Sequence, residues 1–272
     1  MSSEDCRSKG WYPTRRVIGL GLSAMVAAPA MAQPASAAEL MVASQEVARF
    51  QNVRFQAVLT ITAKAGVPRV RELAGVSKTL EEGAATARLM RISAPPDMRG
   101  VGTLTIDRLA RADDLWVYLP SLRRVRRLVA SNRRDPWMGS DFSYGDILGH
   151  EVTDWAHSIV RREPVQGQPC TLVESTPHRK ATASETGYSR RLTWLRDIDS
   201  FALKAEYFDL AGAPLKTMEA ADVRLVDKAS RKSQAMRVTM AGVRGSSTLA
   251  FNEFQTDVTV ADAEVAPGAL TP

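Results

Sequence analysis

Cysteine is nearly absent. The 272-residue chain has two, Cys6 and Cys170, and three histidines, His150, His157 and His178. The histidines show no metal-ligand spacing. There is no His-Glu-x-x-His, no Gly-x-Ser-x-Gly elbow and no Gly-rich phosphate cradle. Metal-assisted hydrolysis, elbow-type acyl transfer and nucleotide chemistry are thus left without a signature. Asp113-Asp114 and Asp197-x-Asp199 read as acidic turn residues rather than paired catalytic carboxylates. Cys170 lies in the apolar run Cys-Thr-Leu-Val and reads as a buried thiol rather than a nucleophile. The constellation left open is a tertiary meeting of His157 with Cys170 or a serine. The expectation is a protein without catalytic activity, metal or cofactor.

Long apolar runs are missing as well. The most apolar stretch, Val17 to Ala28, is shorter than the roughly 20 residues a membrane-spanning helix needs. Arg15-Arg16 precede it, and Ala30-Met31-Ala32 has the small-x-small pattern of a signal-peptidase site before Gln33. Residues 1–32 are therefore expected to be a removable export signal, of twin-arginine or general secretory type, cleaved near Ala32-Gln33. Residues 33–272 are expected to form one domain in a bacterial periplasm. Cys6 leaves with the signal, which removes any intramolecular disulfide, and the cleavage site has no lipobox cysteine. Loss of four basic and two acidic residues lowers the formal charge from +6 to about +4. That moderate excess favours anionic surfaces, and export argues against nucleic acid as a partner.

What is present is one helix and many strands. Ala38 to Gln51 places Leu40, Val47 and Phe50 among polar residues, an amphipathic helix. Strand-like segments follow at Arg54–Thr62, Val67–Gly75, Thr86–Ser93, Gly102–Asp107, Asp114–Leu119 and Leu122–Val129. They resume at His157–Glu163, Cys170–Ser175, Ser189–Leu195, Phe201–Phe208, Pro214–Val226, Gln234–Met240 and Ser247–Phe254. Phe208 to Pro214 reads as a hairpin connection. The predicted class is mainly β, a single antiparallel domain.

Asp114 to Leu119 is apolar on both faces, with Leu115, Val117 and Leu119 on one and Trp116 and Tyr118 on the other. A sheet apolar on both faces must be covered on both, and one helix with two short ones cannot cover so many strands. Strong curvature resolves this: the sheet wraps its own apolar face, as a fully packed barrel or around a cavity. Met90, Met218, Met236 and Met240 lie in or beside strands, as ordinary core or as flexible lining for variable apolar guests.

Six arginines lie between Arg123 and Arg134. On a strand, Arg123 and Arg127 point one way and Arg124 and Arg126 the other, so neither face is wholly buried. This is either a solvated edge whose charge discourages aggregation or a basic rim for anionic headgroups or an acidic partner. The next stretch combines Trp137, Met138, Gly139, Ser140, Asp141, Phe142 and Tyr144. Ser143-x-x-Asp146 is a capping-box pattern, so a short helix should start near Tyr144 and end by Gly149. Such a segment is either a lid over the mouth of the curved sheet or a staple fixed in the core.

Several of these elements resemble a known family. They are Gly100-x-Gly-Thr-Leu, Leu115-Trp-Val-Tyr-Leu-Pro, Arg123-Arg-Val-Arg-Arg, Met138-Gly-Ser-Asp-Phe-Ser-Tyr-Gly-Asp and Tyr207-Phe-Asp-Leu-Ala-Gly-Ala-Pro-Leu-Lys-Thr. Together they resemble the outer membrane lipoprotein-sorting protein family, related to the periplasmic lipoprotein carriers LolA and LolB. The resemblance runs from about Ala38 to Phe254. It implies an unclosed antiparallel β-barrel with a few helices lidding an apolar cavity. The cavity lining expected on that fold is Phe55, Leu59 and Ile61; Leu104 and Ile106; Trp116 and Tyr118; and Trp194, Tyr207, Met236 and Met240. The implied role is carrying lipid or lipoprotein acyl chains across the periplasm towards the outer membrane. Its partners would be an inner-membrane exporter of the resistance-nodulation-division type, an outer-membrane acceptor and, transiently, membrane surfaces. The alternative is a non-catalytic accessory module whose cavity is filled by its own side chains. Gly145 departs from the family pattern, where an acidic residue is more usual, and is expected to loosen the short helix.

Overall fold

The computed structural model describes residues 35–80, 85–108, 112–256 and 258–271. The expected signal segment, 1–32, lies outside the described residues. Helix α1 (Ala37–Val47) starts on Ser36: its hydroxyl accepts from the Glu39 amide, and the Glu39 carboxylate accepts from the Ser36 amide. This reciprocal capping satisfies two amides that a helix start otherwise leaves free. The helix ends four residues before the predicted Gln51, and Phe50 is left as a loop residue.

Among the described residues thirteen strands follow, at the predicted places and usually longer by a residue or more at their ends. They are β1 (Asn52–Ala63), β2 (Arg69–Leu80), β3 (Ala85–Ala94), β4 (Gly102–Arg108), β5 (Asp114–Leu119) and β6 (Arg124–Leu128). Then come α2 (Tyr144–Leu148), β7 (Trp155–Val165), β8 (Gln168–Pro177), α3 (Lys180–Thr186), β9 (Arg190–Arg196) and β10 (Ala202–Phe208). The last are β11 (Pro214–Asp227), β12 (Lys232–Gly242) and β13 (Gly245–Thr256). All thirteen join in one antiparallel sheet, ordered β6-β5-β4-β3-β2-β1-β13-β12-β11-β10-β9-β8-β7. Every neighbour is consecutive in sequence except β1 and β13. The sheet is curled but not closed: β6 and β7, consecutive in the chain, stand at its two opposite edges. The connection from 129 to 154 must therefore run from one edge to the other.

Strand alternation sets the two faces. On β1, Val53, Phe55, Ala57, Leu59 and Ile61 are all buried and point inward. The register Phe55↔Gly75↔Met90↔Thr103↔Val117 carries that inner face across five strands. Leu104 pairs with Leu89, and both belong to the outer face. The outer face of β2 to β5 is covered by the C-terminal segment, with 3-10 turns at Asp262–Val265 and Pro267–Leu270. Val260, Val265 and Leu270 are buried there against Ala85, Ala87, Leu89, Leu104, Ile106 and Tyr118, with Trp116 packed beside them. Ion pairs Arg54–Glu264 at 2.8 Å and Lys78–Asp262 at 2.6 Å hold the segment down.

This corrects part of the sequence reading. Leu104, Ile106, Trp116 and Tyr118 face outward beneath the C-terminal segment, away from the concave side where they were expected. The inner face of β4 carries Thr103 and Thr105, both buried. Both faces of β4 and β5 are buried, so polarity alone pointed to the wrong one.

A cavity under the crossing segment

The crossing segment is apolar because it lies on the concave face. Trp137, Met138, Phe142 and Tyr144 are buried with Leu59, Ile61, Leu73, Met90, Ile92, Leu115, Val117, Met240 and Leu249. Trp137 is 0% exposed, and its indole N–H donates to the Thr103 hydroxyl at 3.3 Å. A tight turn aims these rings. The Trp137 amide bonds the Phe142 carbonyl at 2.7 Å, and Met138 and Gly139 take left-handed φ of 48° and 66°. Ser140, also buried, donates from its hydroxyl to the Trp137 carbonyl at 2.6 Å. The Asp141 carboxylate accepts from the Ser247 hydroxyl at 2.7 Å, tying the turn to β13.

Helix α2 has the anticipated capping box between Ser143 and Asp146. Asp146 does more than cap: it accepts from the Tyr188 hydroxyl at 2.7 Å and pairs with the Lys216 ammonium at 2.5 Å. The Lys216 ammonium lies over the rings of Tyr188 and Tyr207, at 5.3 and 5.4 Å. The expected loosening by Gly145 is not seen. A side chain there would begin 3.2 Å from the Arg133 carbonyl, so the glycine lets α2 pack against the preceding loop.

Beside this plug, between α1, α2 and the sheet, is a cavity of about 470 Å³. That is within the usual size of small-molecule sites. Its walls include Val53 and Phe55 of β1, Met90 of β3, Met218 of β11, Val238 and Met240 of β12, and Leu249, Phe251 and Phe254 of β13. Phe142 and the end of α2, Ile147 to Gly149, close one side; Ser44, Gln45, Ala48 and Arg49 close another. Phe251 stacks edge-on against both Phe55, at 5.4 Å, and Phe254, at 5.7 Å. Phe55 can lie flat across β2 because Gly75 has no side chain; a Cβ there would sit 2.2 Å from the Phe55 ring tip.

Four charged groups interrupt the apolar walls: Arg49, Arg88, Asp107 and Asp146. Arg88 of β3 donates one N–H to the Ile147 carbonyl at 2.7 Å. Burial pushes its pKa down, and Asp107 partly restores it. Asp107 of β4, also in the lining, is pushed up by burial and by Asp113, against Arg88, Arg49 and Arg133.

Of the eleven residues expected in the cavity, Phe55, Tyr207 and Met240 line it. Leu59 and Ile61 point inward but lie under the plug. Trp194 belongs to a second apolar cluster with Cys170, Leu172 and Leu203, and its indole donates to Glu163 at 2.6 Å. Met236 is half-buried and outside the lining. Of the segment expected as a lid, Phe142 is the residue on the cavity surface. Arg124 to Arg127 form most of β6, the exposed edge strand, and Arg123 is the left-handed turn before it.

Sequence reasoning missed Arg88, Asp107, Phe251 and Phe254. The two phenylalanines are three apart, which breaks alternation; a bulge opposite Gln56 and Ala57 puts both on the inner face. The methionine pattern was the better signal, since Met90, Met218 and Met240 all reach the cavity.

Of the constellation left open, His157 does meet a serine. His157 Nδ1 lies 2.8 Å from the Ser175 hydroxyl, and its Nε2 lies 2.9 Å from the Val152 carbonyl. The carbonyl requires Nε2 to carry the proton, so Nδ1 accepts from Ser175. Ser175 is 0% exposed, out of reach of any substrate. Cys170 is buried, and burial pushes its thiol pKa up, the reverse of an activated nucleophile.

The sequence model of a family described as "uncharacterized protein" matches residues 84–270. The chain belongs to that family. Solved structures share its fold. An outer membrane lipoprotein-sorting protein domain from Vibrio parahaemolyticus superposes with a TM-score of 0.79 at 23% identity, covering 87% of this chain and 98% of that one. A DUF1329 family protein from Desulfovibrio piger gives 0.79 at 27% identity, covering 86% and 97%. A LolA superfamily protein from Nitrosomonas europaea gives 0.63 at 19% identity, covering 86% and 98%. No curated protein has a matching sequence. The unclosed, curled sheet is thus the fold of the lipoprotein-sorting and LolA superfamily proteins.

Proposed function

We propose that the protein is an exported carrier that holds lipid or lipoprotein acyl chains in this cavity and delivers them between membranes, towards the outer membrane. The observation that carries the reading is the cavity itself. It is walled by aromatic, aliphatic and thioether side chains on the concave face of a sheet shared with lipoprotein-sorting and LolA superfamily structures. Each methylene moved from water into such walls stabilises the complex by about 0.8 kcal/mol. Several therefore hold a chain while still allowing handover. Residues 1–32 fit an export signal, and no helix among the described residues is long and apolar enough to cross a membrane. N-terminal sequencing of the periplasmic protein should begin at Gln33 or close to it.

The exposed edge β6 supports transient contact with membrane surfaces. Arg127 pairs with Asp114, whereas Arg123, Arg124 and Arg126 have no ion-pair partner among the described residues. Their guanidinium groups suit phosphate headgroups. The plug favours a second reading, an accessory module of a resistance-nodulation-division exporter, because Trp137, Met138 and Tyr144 already fill much of the concave face. Mass spectrometry of organic extracts from the purified protein separates the two. Stoichiometric co-purified lipid supports the carrier, and a clean extract from protein that also fails to take up added lipid supports the module.

A further inference from the structure

We propose that the cavity selects a single-chain amphiphile with an anionic headgroup, carboxylate or phosphate, and that Arg88 is the residue that binds the head. The inference rests on the carrier reading and deepens it by naming the ligand class.

Three observations carry it. Arg88 is part of the cavity wall, and among the described residues its guanidinium makes one hydrogen bond, to the Ile147 carbonyl at 2.7 Å. No carboxylate lies within ion-pair distance of it among the described residues, although Asp107 shares the same wall. A guanidinium has five N–H donors, and withdrawing it from water without an anion is costly. Arg88 is half-buried, and a neutral ligand filling the cavity would take its free N–H groups out of water without an acceptor. A carboxylate or phosphate would accept two of the free N–H groups in the fork geometry these groups favour.

The second observation is a second arginine in the wall: Arg49 is also in the lining and close enough to influence Asp107, while it pairs with Glu46 at 3.7 Å. Of the two carboxylates in the lining, Asp146 is already paired with Lys216, and burial raises the pKa of Asp107. The third is size. A methylene fills roughly the volume of a water molecule, about 30 Å³. A cavity of about 470 Å³ then takes about fifteen, one long chain rather than several. Phe55, Phe142, Met218, Met240 and Phe251 would hold the chain while the head stays at Arg88.

The test uses the mature protein and displacement of a neutral fluorescent probe, N-phenyl-1-naphthylamine, by three ligands with the same chain: hexadecanoate, hexadecyl phosphate and hexadecan-1-ol. The wild type should bind at least one anion ten-fold or more tightly than the alcohol. A preference for hexadecanoate points to free fatty acids; one for hexadecyl phosphate points to lipid phosphates. In Arg88→Gln that preference, read as the ratio of anion to alcohol affinity within the same variant, should fall to less than two-fold. Arg88→Lys should retain part of the preference, and it serves as the second variant if Arg88→Gln fails to fold by circular dichroism. Equal binding of all three ligands by the wild type, or an undiminished anion preference in a folded Arg88 variant, overturns the headgroup proposal and leaves the carrier reading standing. Failure of every ligand, alcohol included, to displace or bind overturns both.

Discussion

Truncating Phe142 to Ala asks whether the crossing segment is a movable cover or a permanent filling. The ring is 4% exposed, packs edge-on against Trp137 at 6.5 Å, and borders the cavity on its other side. A Phe packed on all sides costs about 3–5 kcal/mol when cut to Ala. Part of this ring faces empty volume, so its loss should cost less, about 2–3 kcal/mol by the same reasoning. For a domain of this size that lowers the melting temperature by roughly 5–10 °C. The space released joins the existing cavity, so the variant should accept alkyl chains longer by several methylenes. Urea denaturation gives the stability change, and displacement of N-phenyl-1-naphthylamine by a series of chain lengths gives the preference. The rest of the segment is firmly held, through Trp137 to Thr103, Asp141 to Ser247 and Asp146 to Lys216 and Tyr188. Any opening should therefore centre on Phe142 and the end of α2, which border the cavity. A loss of 4 kcal/mol or more with an unaltered chain-length preference would refute this and make Phe142 a sealed core residue.

Gly75→Ala places a methyl where the Phe55 ring tip now lies, at 2.2 Å, and should drive that ring into the cavity; ligand affinity should fall at least five-fold in the displacement assay while the protein remains folded. Arg124→Glu with Arg126→Glu should weaken binding to vesicles containing anionic lipid, most at low salt, and change stability by less than about 0.5 kcal/mol, as measured by vesicle sedimentation and thermal melting. His150 is half-buried with its Nε2 enclosed, and burial, followed by Arg191, Arg133 and Lys216, holds its pKa well below the ordinary 6.5. The unfolded chain then binds a proton that the folded one does not, so this histidine's contribution is present above pH 6.5 and is lost as pH falls below it. His150→Phe should flatten that part of the wild-type profile in urea denaturation at pH 7.5, 6 and 5.

The strands, and the curvature of the sheet, were legible in the sequence. Alternating apolar residues bounded by glycine, proline and acidic turns mark each strand, and β5, apolar on both faces, requires that both faces be covered. The capping box at Ser143 and Asp146 was equally local and so equally readable. The candidate site was legible only in part, and the errors concentrate where two faces are equally apolar. On β4, Leu104 and Ile106 look like the natural lining, yet the cover that reaches them is the C-terminal segment, with Leu270 buried on their side of the sheet. On β13, Phe251 and Phe254 violate alternation, and a bulge against β1 reconciles them. Arg88 reads as one more strand arginine until the curl of the sheet brings it under Ile147. Strand identity and the need for curvature are properties of neighbouring residues, a few ångströms apart along the chain, and the sequence by itself determines them. Which face becomes the inside was decided by tertiary structure: the segment from 129 to 154, joining two opposite edges, and the C-terminal segment could each cover an apolar face. Only the closed set of contacts, Trp137 on Thr103 within and Leu270 beside Leu104 without, assigns one cover to each side.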